Sequence, residues 1–343
     1  MLEAIAIGDL HLDGLGFLPN GNELIMAEVA KAENYAVRRG IKHVFYLGDI
    51  ANKPVLSYEA HELLLNQFSK HRDCFDRHII LGNHDFSHTG RHSLTVLKKA
   101  LEGTNVHIYT EPTQVRLAGI PVNFLPYPYP NVDEAPDPFN CLNVSHFEVA
   151  GSQRDNGTTS SSTCEIMDST HWLMGHLHTP HSVGRVHYTG TLFQRNFGED
   201  LPKSFSLVQA RFSKSSALLQ VRFKRIENTP AFTLHNLVIE STKDLDKIPS
   251  DPSAFCKLFV EGTVTLPSTL LATRPNIIRV QFYKTKSERA ALIKDSVIQE
   301  IATLGFDVYE GLSEYLDQYY PDLSQEERER ILQLQSEIKE TLK

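Results

Sequence analysis

Five short polar motifs, each placed where an apolar segment ends, constrain this chain more than any other feature. They are Gly8-Asp9-Leu10-His11, Gly48-Asp49, Gly82-Asn83-His84-Asp85, Ser145-His146 and Gly175-His176-Leu177-His178. The apolar segments before them are typical of buried strands. Loops that leave the carboxyl ends of parallel strands converge on one crevice. We therefore expect these side chains, distant in sequence, to meet at a single site.

Strands alternate with helices in the first hundred residues, which predicts parallel pairing through right-handed crossovers. The expected strands are Ala4–Gly8, Lys42–Leu47 and His78–Leu81. The expected helices are one capped by Asn22 and running to Arg39, one at Tyr58–Lys70 and one at Arg91–Leu101. From Val115 onward shorter strands follow, beginning with a hairpin that turns at Ala118-Gly119. The fold class is thus expected to be α/β, a sandwich of two facing sheets.

The length of 343 residues leaves room for further units after this core. Beyond about Arg225 the pattern predicts a small α+β domain with three strands (Leu234–Glu240, Cys256–Val260 and Ile277–Tyr283) and a helix at Glu288–Thr303. Two helices separated by Pro321 end the chain. We predict domains at 1–225, 226–306 and 307–343.

Composition indicates a cytoplasmic protein. No apolar run approaches the roughly 18 residues of a membrane span, and no basic leader precedes the first strand. The four cysteines are scattered without a C-x-x-C pair, which is typical of reduced thiols. The net charge of −8 includes nine acids and four bases in residues 309–343. The remaining charge of −3 neither excludes nor favours a nucleic-acid substrate.

The residue types in the motifs point to metal chemistry. Carboxylate oxygen and neutral imidazole together suit manganese, iron or zinc better than calcium. Two metals that share one carboxylate can clamp both oxygens of an in-line phosphoryl displacement. Each motif alone has an ordinary explanation, such as a turn, a helix cap or a solvated loop. Five such motifs in this order, each at the end of a strand, are not explained in this ordinary way.

The ordered set of motifs resembles the calcineurin-like metallophosphoesterases over residues 1 to about 195. This resemblance implies a two-sheet metallophosphoesterase core that holds two divalent metal ions. The implied ligand sets share Asp49 as the bridge: Asp9, His11, Asp49 and His178 for one ion, and Asp49, Asn83, His146 and His176 for the other. His84 would assist the leaving group without being a ligand, and Asp85 would orient His84.

Further segments look like the SbcD-type nuclease branch of that family, namely Ser145–Val149, Tyr188–Leu192 and Phe197–Glu199. This resemblance implies a manganese-dependent DNA nuclease with 3′→5′ exonuclease activity on duplex ends and single-strand endonuclease activity. Residues 226–306 would be its DNA-contacting cap domain. One departure is Asn52, which stands where many cellular members carry a histidine. It puts in doubt any role of that histidine in seating DNA ends.

The C-terminal helix pair resembles the end of phage-encoded SbcD homologues. There such a pair binds an SbcC-like SMC-type ATPase, which implies an ATPase partner through residues 309–343 and, for a phage protein, the host cytoplasm. Apolar stripes on the two helices suit such contact, but they equally suit packing on the chain's own domain.

Two other functions stay open. A small-molecule phosphatase or cyclic-nucleotide phosphodiesterase would use the same chemistry, but would leave about 150 C-terminal residues unexplained. A structural subunit on an inactive phosphoesterase fold is disfavoured because every matched ligand position is intact. The sequence also leaves open whether the chain forms a homodimer.

Overall fold

The structure is a computed structural model and describes residues 1–87, 90–128, 140–154, 158–160, 162, 170–284, 288, 289 and 292. Its elements in chain order are β1 (Leu2–Ile7), α1 (Gly21–Arg39), β2 (His43–Leu47), α2 (Tyr58–Ser69), β3 (Asp76–Ile80), α3 (Thr95–Ala100), β4 (Val106–Tyr109), β5 (Thr113–Leu117), β6 (Ile120–Leu125), β7 (Leu142–Ser145), β8 (His171–Met174), β9 (His181–Val183), β10 (Val186–Tyr188), β11 (Lys203–Phe212), β12 (Leu219–Asn228), β13 (Thr233–Ile239), β14 (Ala254–Glu261), α4 (Leu270–Thr273) and β15 (Ile277–Tyr283). A 3₁₀ helix at Thr242–Lys247 follows β13.

The first sheet has six strands in the order β12-β11-β1-β2-β3-β4. The four strands β1 to β4 are parallel, as the alternation of strands and helices predicted. Strand β11 pairs antiparallel with β1, and β12 pairs antiparallel with β11. The sequence analysis missed this long β11–β12 hairpin, which extends the sheet beyond its first strand.

The second sheet also has six strands, in the order β5-β6-β7-β8-β10-β9. It begins with the expected hairpin, since β5 and β6 pair antiparallel around Ala118-Gly119. One apolar layer joins the two sheets: Phe45 and Ile80 of the first pack with Phe124 and Leu173 of the second. A second layer covers the outer face of the first sheet with helices α1 and α2. The predicted α/β class with two facing sheets is confirmed.

Two helix boundaries differ from the prediction, each because a tertiary hydrogen bond replaces a local one. Helix α1 begins at Gly21, so Asn22 lies inside it. The side chain of Asn22 instead accepts from the Asp13 amide at 2.8 Å and donates to Glu59 at 3.0 Å. Helix α3 begins only at Thr95, because Ser93 is held by two bonds to Asp85.

The third sheet consists of β13, β14 and β15, all parallel. Helical turns connect the strands, so the described part of this unit is an α/β arrangement rather than the expected α+β one. Its first strand, β13, is hydrogen-bonded to the core. The backbone amide of Leu234 donates to the side-chain oxygen of Gln194, and the Leu234 carbonyl accepts from the side-chain nitrogen of Gln194. Lys257 of β14 lies over the ring of Phe197 at 4.5 Å. The third sheet thus contacts the segment that follows the last histidine motif.

Most of the predicted Glu288–Thr303 helix and all of residues 307–343 lie outside the described residues. The predicted helix pair therefore stays a prediction. Within the described residues, no helix combines the length and the apolar character that crossing a membrane requires.

Candidate metal centre

The carboxyl ends of strands from both sheets meet at one edge of the sandwich. Strands β1, β2 and β3 end just before Asp9, Asp49 and Asn83. In the second sheet, β7 and β8 end just before His146 and the Gly175–His178 motif. The structure thus gathers the nine predicted site residues in one place: Asp9, His11, Asp49, Asn83, His84, Asp85, His146, His176 and His178.

One donor group is formed by Asp9, His11 and His178, whose ligand atoms all lie within 4.8 Å of one another. Nε2 of His178 is 3.6 Å from Oδ2 of Asp9. The ring of His11 meets that of His178 edge-on, with centroids 5.6 Å apart. Asp9 and His11 are each only 1% exposed, so this group is withdrawn from bulk water.

A second donor group surrounds Asn83. Its Oδ1 lies 3.0 Å from Nε2 of His146 and 3.1 Å from Nδ1 of His176. Nε2 of His146 is also 3.3 Å from Oδ2 of Asp49. An amide oxygen, a carboxylate oxygen and two imidazole nitrogens therefore converge.

Asp49 links the two groups. Its Oδ2 faces Nε2 of His146 at 3.3 Å and Nε2 of His11 at 3.5 Å. Its Oδ1 accepts a hydrogen bond from the backbone amide of His84 at 2.8 Å, which fixes the carboxylate plane. One oxygen of Asp49 is thus shared between a nitrogen of each group.

The ring nitrogens of His11 and His146 are arranged to bind a cation. Among the described residues, neither ring nitrogen of buried His11 has a hydrogen-bond partner. An unpaired buried polar atom costs about 1–3 kcal/mol, which a bound ion would offset. Nδ1 of His146 lies 2.7 Å from the carbonyl of Leu47, which can only accept, so Nδ1 carries the proton. Nε2 faces the oxygens of Asn83 and Asp49, and it would offer its lone pair to a cation held between them once it loses its own proton. Buried Asp and His groups here could hold a metal ion.

The titration of these groups is strongly coupled. Burial acts to raise the pKa of Asp49, but the surrounding imidazoles, led by His146 and His84, hold it well below its usual range. For His146, burial lowers the pKa, and the carboxylates of Asp49 and Asp9 outweigh it and raise the pKa to about 10. For His11, burial and the charge of Arg195 lower the pKa well below its usual range. Without a cation the carboxylates thus keep a proton on His146, which a bound metal ion would displace, while His11 is already neutral, as a metal ligand must be.

Glycine in the motifs lets the ligands approach the backbone. A Cβ on Gly82 would collide with the carboxylate and the backbone nitrogen of Asp49. A Cβ on Gly175 would collide with the carbonyl of Leu47 and would lie 2.8 Å from both Asp9 Oδ1 and His146 Nδ1. Any larger residue at these two positions would displace donor atoms.

Asp85 does not make the contact that we expected with the ring of His84. Its carboxylate accepts from the amides of Ala51 at 2.9 Å and Gly82 at 2.9 Å, and from Ser93 Oγ at 3.0 Å. Nδ1 of His84 instead lies 3.2 Å from the carbonyl of Asn52. Asp85 therefore ties together the loops that carry Asp49 and Asn83. Burial, together with the charge of Asp49, raises the pKa of Asp85 to about 7.

Two carboxylates that the sequence analysis assigned no role stand behind histidines of the site. Oε1 of Glu148 is 3.7 Å from Nε2 of His176, and Oε1 of Glu199 is 3.2 Å from Nδ1 of His178. Each histidine thus has a carboxylate behind it and another ring nitrogen toward the donor group, an arrangement that orients metal-binding histidines. Burial opposes ionisation of Glu148, but bonds from His176, Arg154 and Ser160 lower its pKa to about 2.

Arg195 is the third residue that the sequence analysis missed. It is only 7% exposed, and its Nη1 lies 2.7 Å from Nε2 of His178. Its Nη2 lies 3.5 Å from Oδ1 of Asn52, at the residue that departs from the family pattern. Nε of Arg195 is buried and, among the described residues, has no hydrogen-bond partner. A guanidinium therefore stands at the edge of the first donor group.

Two of these three residues, Glu148 and Glu199, lie in segments that resemble the SbcD-type branch, but nothing in the sequence gave any of the three a role. Glu148 follows His146 by two positions, and Arg195 and Glu199 lie within the segment after His178. The contacts of these residues with His176 and His178 join parts of the chain that are distant in sequence, so they leave no periodic pattern in it. Comparisons with protein-family models and with curated proteins find no match for this chain.

Proposed function

We propose that this chain is a two-metal phosphoesterase that hydrolyses phosphodiester bonds in DNA. The observation that carries the proposal is the position of Asp49, whose Oδ2 faces a nitrogen of each donor group. One carboxylate oxygen between two donor groups is what a pair of nearby metals requires. Two divalent cations held there would supply Lewis-acid chemistry for in-line displacement at phosphorus.

The ligand sets follow from the two donor groups. Asp9, His11, Asp49 and His178 would hold one ion, and Asp49, Asn83, His146 and His176 would hold the other. The mixture of carboxylate and amide oxygen with imidazole nitrogen suits manganese, which we propose as the metal. Glu148 and Glu199 would fix the rings of His176 and His178 by accepting from the nitrogen that faces away from the ion.

His84 is placed to move a proton. Its ring meets that of His11 edge-on at 4.8 Å, and its Nδ1 is anchored on the Asn52 carbonyl. Nε2 is then the atom that, once the ring is protonated, can give a hydrogen bond or a proton to a departing oxygen. Burial lowers the pKa of His84 to about 4, and Arg195 adds to this, so the ring is neutral at pH 7 in the free protein. A phosphate ester beside the ring would favour its protonated form.

Arg195 fits the binding of the phosphate group. A guanidinium presents paired donors to phosphate oxygens, and burial strengthens such contacts. A metal ion at Nε2 of His178 would compete with Nη1 for that nitrogen, so the guanidinium would turn toward the substrate. The Asn52 side chain, 3.5 Å from Nη2, provides a second contact that limits this movement.

DNA as the substrate rests on the likeness to the SbcD-type branch, with support from the third sheet. This sheet is bonded through Leu234 to Gln194, the neighbour of Arg195. An element beside the site could hold a long substrate across it. The proposed partner, an SbcC-like ATPase bound through residues 309–343, lies outside the described residues.

The test compares hydrolysis of linear duplex DNA, single-stranded circular DNA and bis(p-nitrophenyl) phosphate, each with and without manganese. The proposal expects manganese-dependent cleavage of all three. Cleavage of the small ester alone would support a small-molecule phosphodiesterase instead, and no cleavage of any substrate would support an inactive structural subunit. Removing residues 309–343 should spare the small ester but abolish retention of a co-expressed ATPase.

A further inference from the structure

We propose that the chain binds a further transition-metal ion, of the zinc class, through His43, Asp76 and His78. We call these three residues the distal histidine site. They lie at the amino ends of β2 and β3, where His43 is paired with Asp76 in register. The candidate metal centre lies at the carboxyl ends of the same strands, beyond the end of β2, which is itself about 13 Å from His43. The inference does not depend on the proposed phosphoesterase activity.

Strand alternation places the three side chains on one face. His43 shares the inner face of β2 with Phe45, and His78 shares that of β3 with Ile80. One donor atom from each of His43, Asp76 and His78 lies within 4.8 Å of the other two. The site is therefore open at the strand ends and closed by the layer between the sheets.

The distance between the two imidazoles suits a shared metal. Nδ1 of His43 lies 3.3 Å from Nε2 of His78. Two nitrogens bound to tetrahedral zinc at about 2.0–2.1 Å stand about 3.3–3.4 Å apart. The same separation also permits a hydrogen bond between the two nitrogens, which the zinc titration below distinguishes from a shared metal.

The surroundings of His78 orient its metal-facing nitrogen. Nδ1 of His78 lies 2.9 Å from the hydroxyl of Tyr109, whose oxygen accepts a hydrogen bond from the tautomer that is protonated at Nδ1. Nε2 is then left with a lone pair toward His43. The ring is stacked between neighbours, with Phe124 5.2 Å away at an interplanar angle of 7° and His107 5.2 Å away at 25°. A buried partner behind a histidine is what fixes a ligand ring.

Metal binding requires neutral imidazoles, and the burial of both rings favours that form. Burial and the neighbouring histidines lower the pKa of His78 to about 2. Burial also lowers the pKa of His43, and the carboxylate of Asp76 only partly offsets this. Asp76 makes no side-chain hydrogen bond to another described residue, so its charge is available to a cation. Three protein ligands leave one tetrahedral position for water.

The test is a zinc titration of the full chain carrying Asp49→Asn, which weakens the candidate metal centre. We expect the distal histidine site to contribute one zinc ion per chain, which is the ion lost when His43 is replaced, and a higher temperature of unfolding with zinc. Adding His43→Ala or Asp76→Asn should weaken zinc binding by at least about 100-fold, and Tyr109→Phe by about 10–100-fold, as loss of an orienting partner does. His107→Ala is the matched control, because it removes a neighbouring histidine outside the donor set.

The same variants in the wild-type chain provide an independent readout. His43→Ala should lower the zinc content by one ion per chain while hydrolysis at the other end of the sheet is unchanged. Cobalt in place of zinc should give visible absorption bands of a four-coordinate site that His43→Ala removes. The proposal is overturned if His43→Ala and Asp76→Asn keep the zinc content, or if no zinc binds to the Asp49→Asn chain. The two imidazoles would then simply share a proton.

Discussion

Nη1 of Arg195 lies 2.7 Å from Nε2 of His178, the nitrogen that faces Oδ2 of Asp9 at 3.6 Å. A fixed cation thus touches one of the proposed metal ligands at its metal-facing atom. Two roles for Arg195 follow from this contact. It can compete with the metal, or it can move aside and bind the phosphate.

We predict that Arg195→Met leaves the manganese content intact but lowers kcat/KM for phosphodiesters by about 10–150-fold. A hydrogen bond to a charged group contributes about 1.5–3 kcal/mol, which corresponds to that range. Inhibition by inorganic phosphate should weaken in parallel. Arg195→Lys should recover only part of the loss, because an ammonium lacks the paired donors of the guanidinium. Unchanged phosphate inhibition in Arg195→Met would exclude the phosphate-binding role.

His84→Ala should keep both metals and lower the rate by about 10²–10⁴-fold, as loss of a general acid–base group does. The His84 ring meets that of His11 edge-on and its Nδ1 points to a carbonyl, which leaves Nε2 for proton transfer. One nitrogen of His84 also lies within 4.8 Å of the ligand atoms of His11 and Asp49, so the metal content distinguishes a proton donor from a ligand. Metal content and single-turnover rate are the measurements. A variant that lost metal would make His84 a ligand and would revise both sets.

Glu148→Gln tests the orientation of His176. The substitution keeps the size of the side chain but removes the charge that faces Nε2 of His176 and binds Arg154. We expect the manganese dissociation constant to rise by about 10–100-fold while turnover at saturating manganese is largely kept. A lower turnover at saturating metal, with unchanged affinity, would contradict a purely orienting role.

His187 predicts how stability depends on pH. It is buried against Phe223 and bonded to Ser206 Oγ at 2.8 Å, and burial with the nearby His181 lowers its pKa to about 4. An unfolded histidine has a pKa of about 6.5, so between pH 6.5 and 4 the unfolded chain holds the extra proton. The contribution to the free energy of unfolding should therefore fall by about 2 kcal/mol from pH 7 to pH 5.

Urea unfolding of metal-free protein at several pH values measures this contribution. In His187→Gln the loss of stability from pH 7 to pH 5 should be smaller by about 2 kcal/mol, even though the variant is weaker at every pH. Between pH 7 and pH 9 the two proteins should differ by a constant amount. Parallel curves over the acidic range would mean that folding does not lower the pKa of His187.

The donor residues were predictable because they obey a rule of topology. Asp9, Asp49 and Asn83 follow parallel neighbouring strands, and the carboxyl ends of such strands meet. The apolar segments before them identified the strands, and the polar residues after them had no packing purpose. Nothing beyond strand order was needed to place these side chains together.

The residues behind the donors could not be predicted in this way. Glu199 and Arg195 lie in an irregular segment after His178, where their positions depend on contacts with Lys203 and with the third sheet through Gln194. Asp85 was misread because four residues in one motif suggested a local pair with His84. Its partners are Gly82 in its own motif, Ala51 in the loop after β2 and Ser93 just before α3. Sequence spacing carries no information about such bonds.

Asp49→Asn tests the central claim, that one carboxylate serves two metal ions. The measurement is the number of manganese ions bound per chain at equilibrium, together with the rate of phosphodiester hydrolysis. The chain with Asp49 and the Asp49→Asn variant should both carry His43→Ala, so that the distal histidine site adds no ion to either count. Asp246→Asn, a change at an exposed carboxylate, is the control.

With Asp49 in place, we expect two manganese ions bound per chain and full phosphodiester hydrolysis. In Asp49→Asn we expect fewer than two bound ions and no detectable hydrolysis, because the amide lacks the charge that holds two cations together. The control should match the unmodified chain. Two ions bound to Asp49→Asn with normal turnover would contradict the bridging role and, with it, the proposed two-metal mechanism.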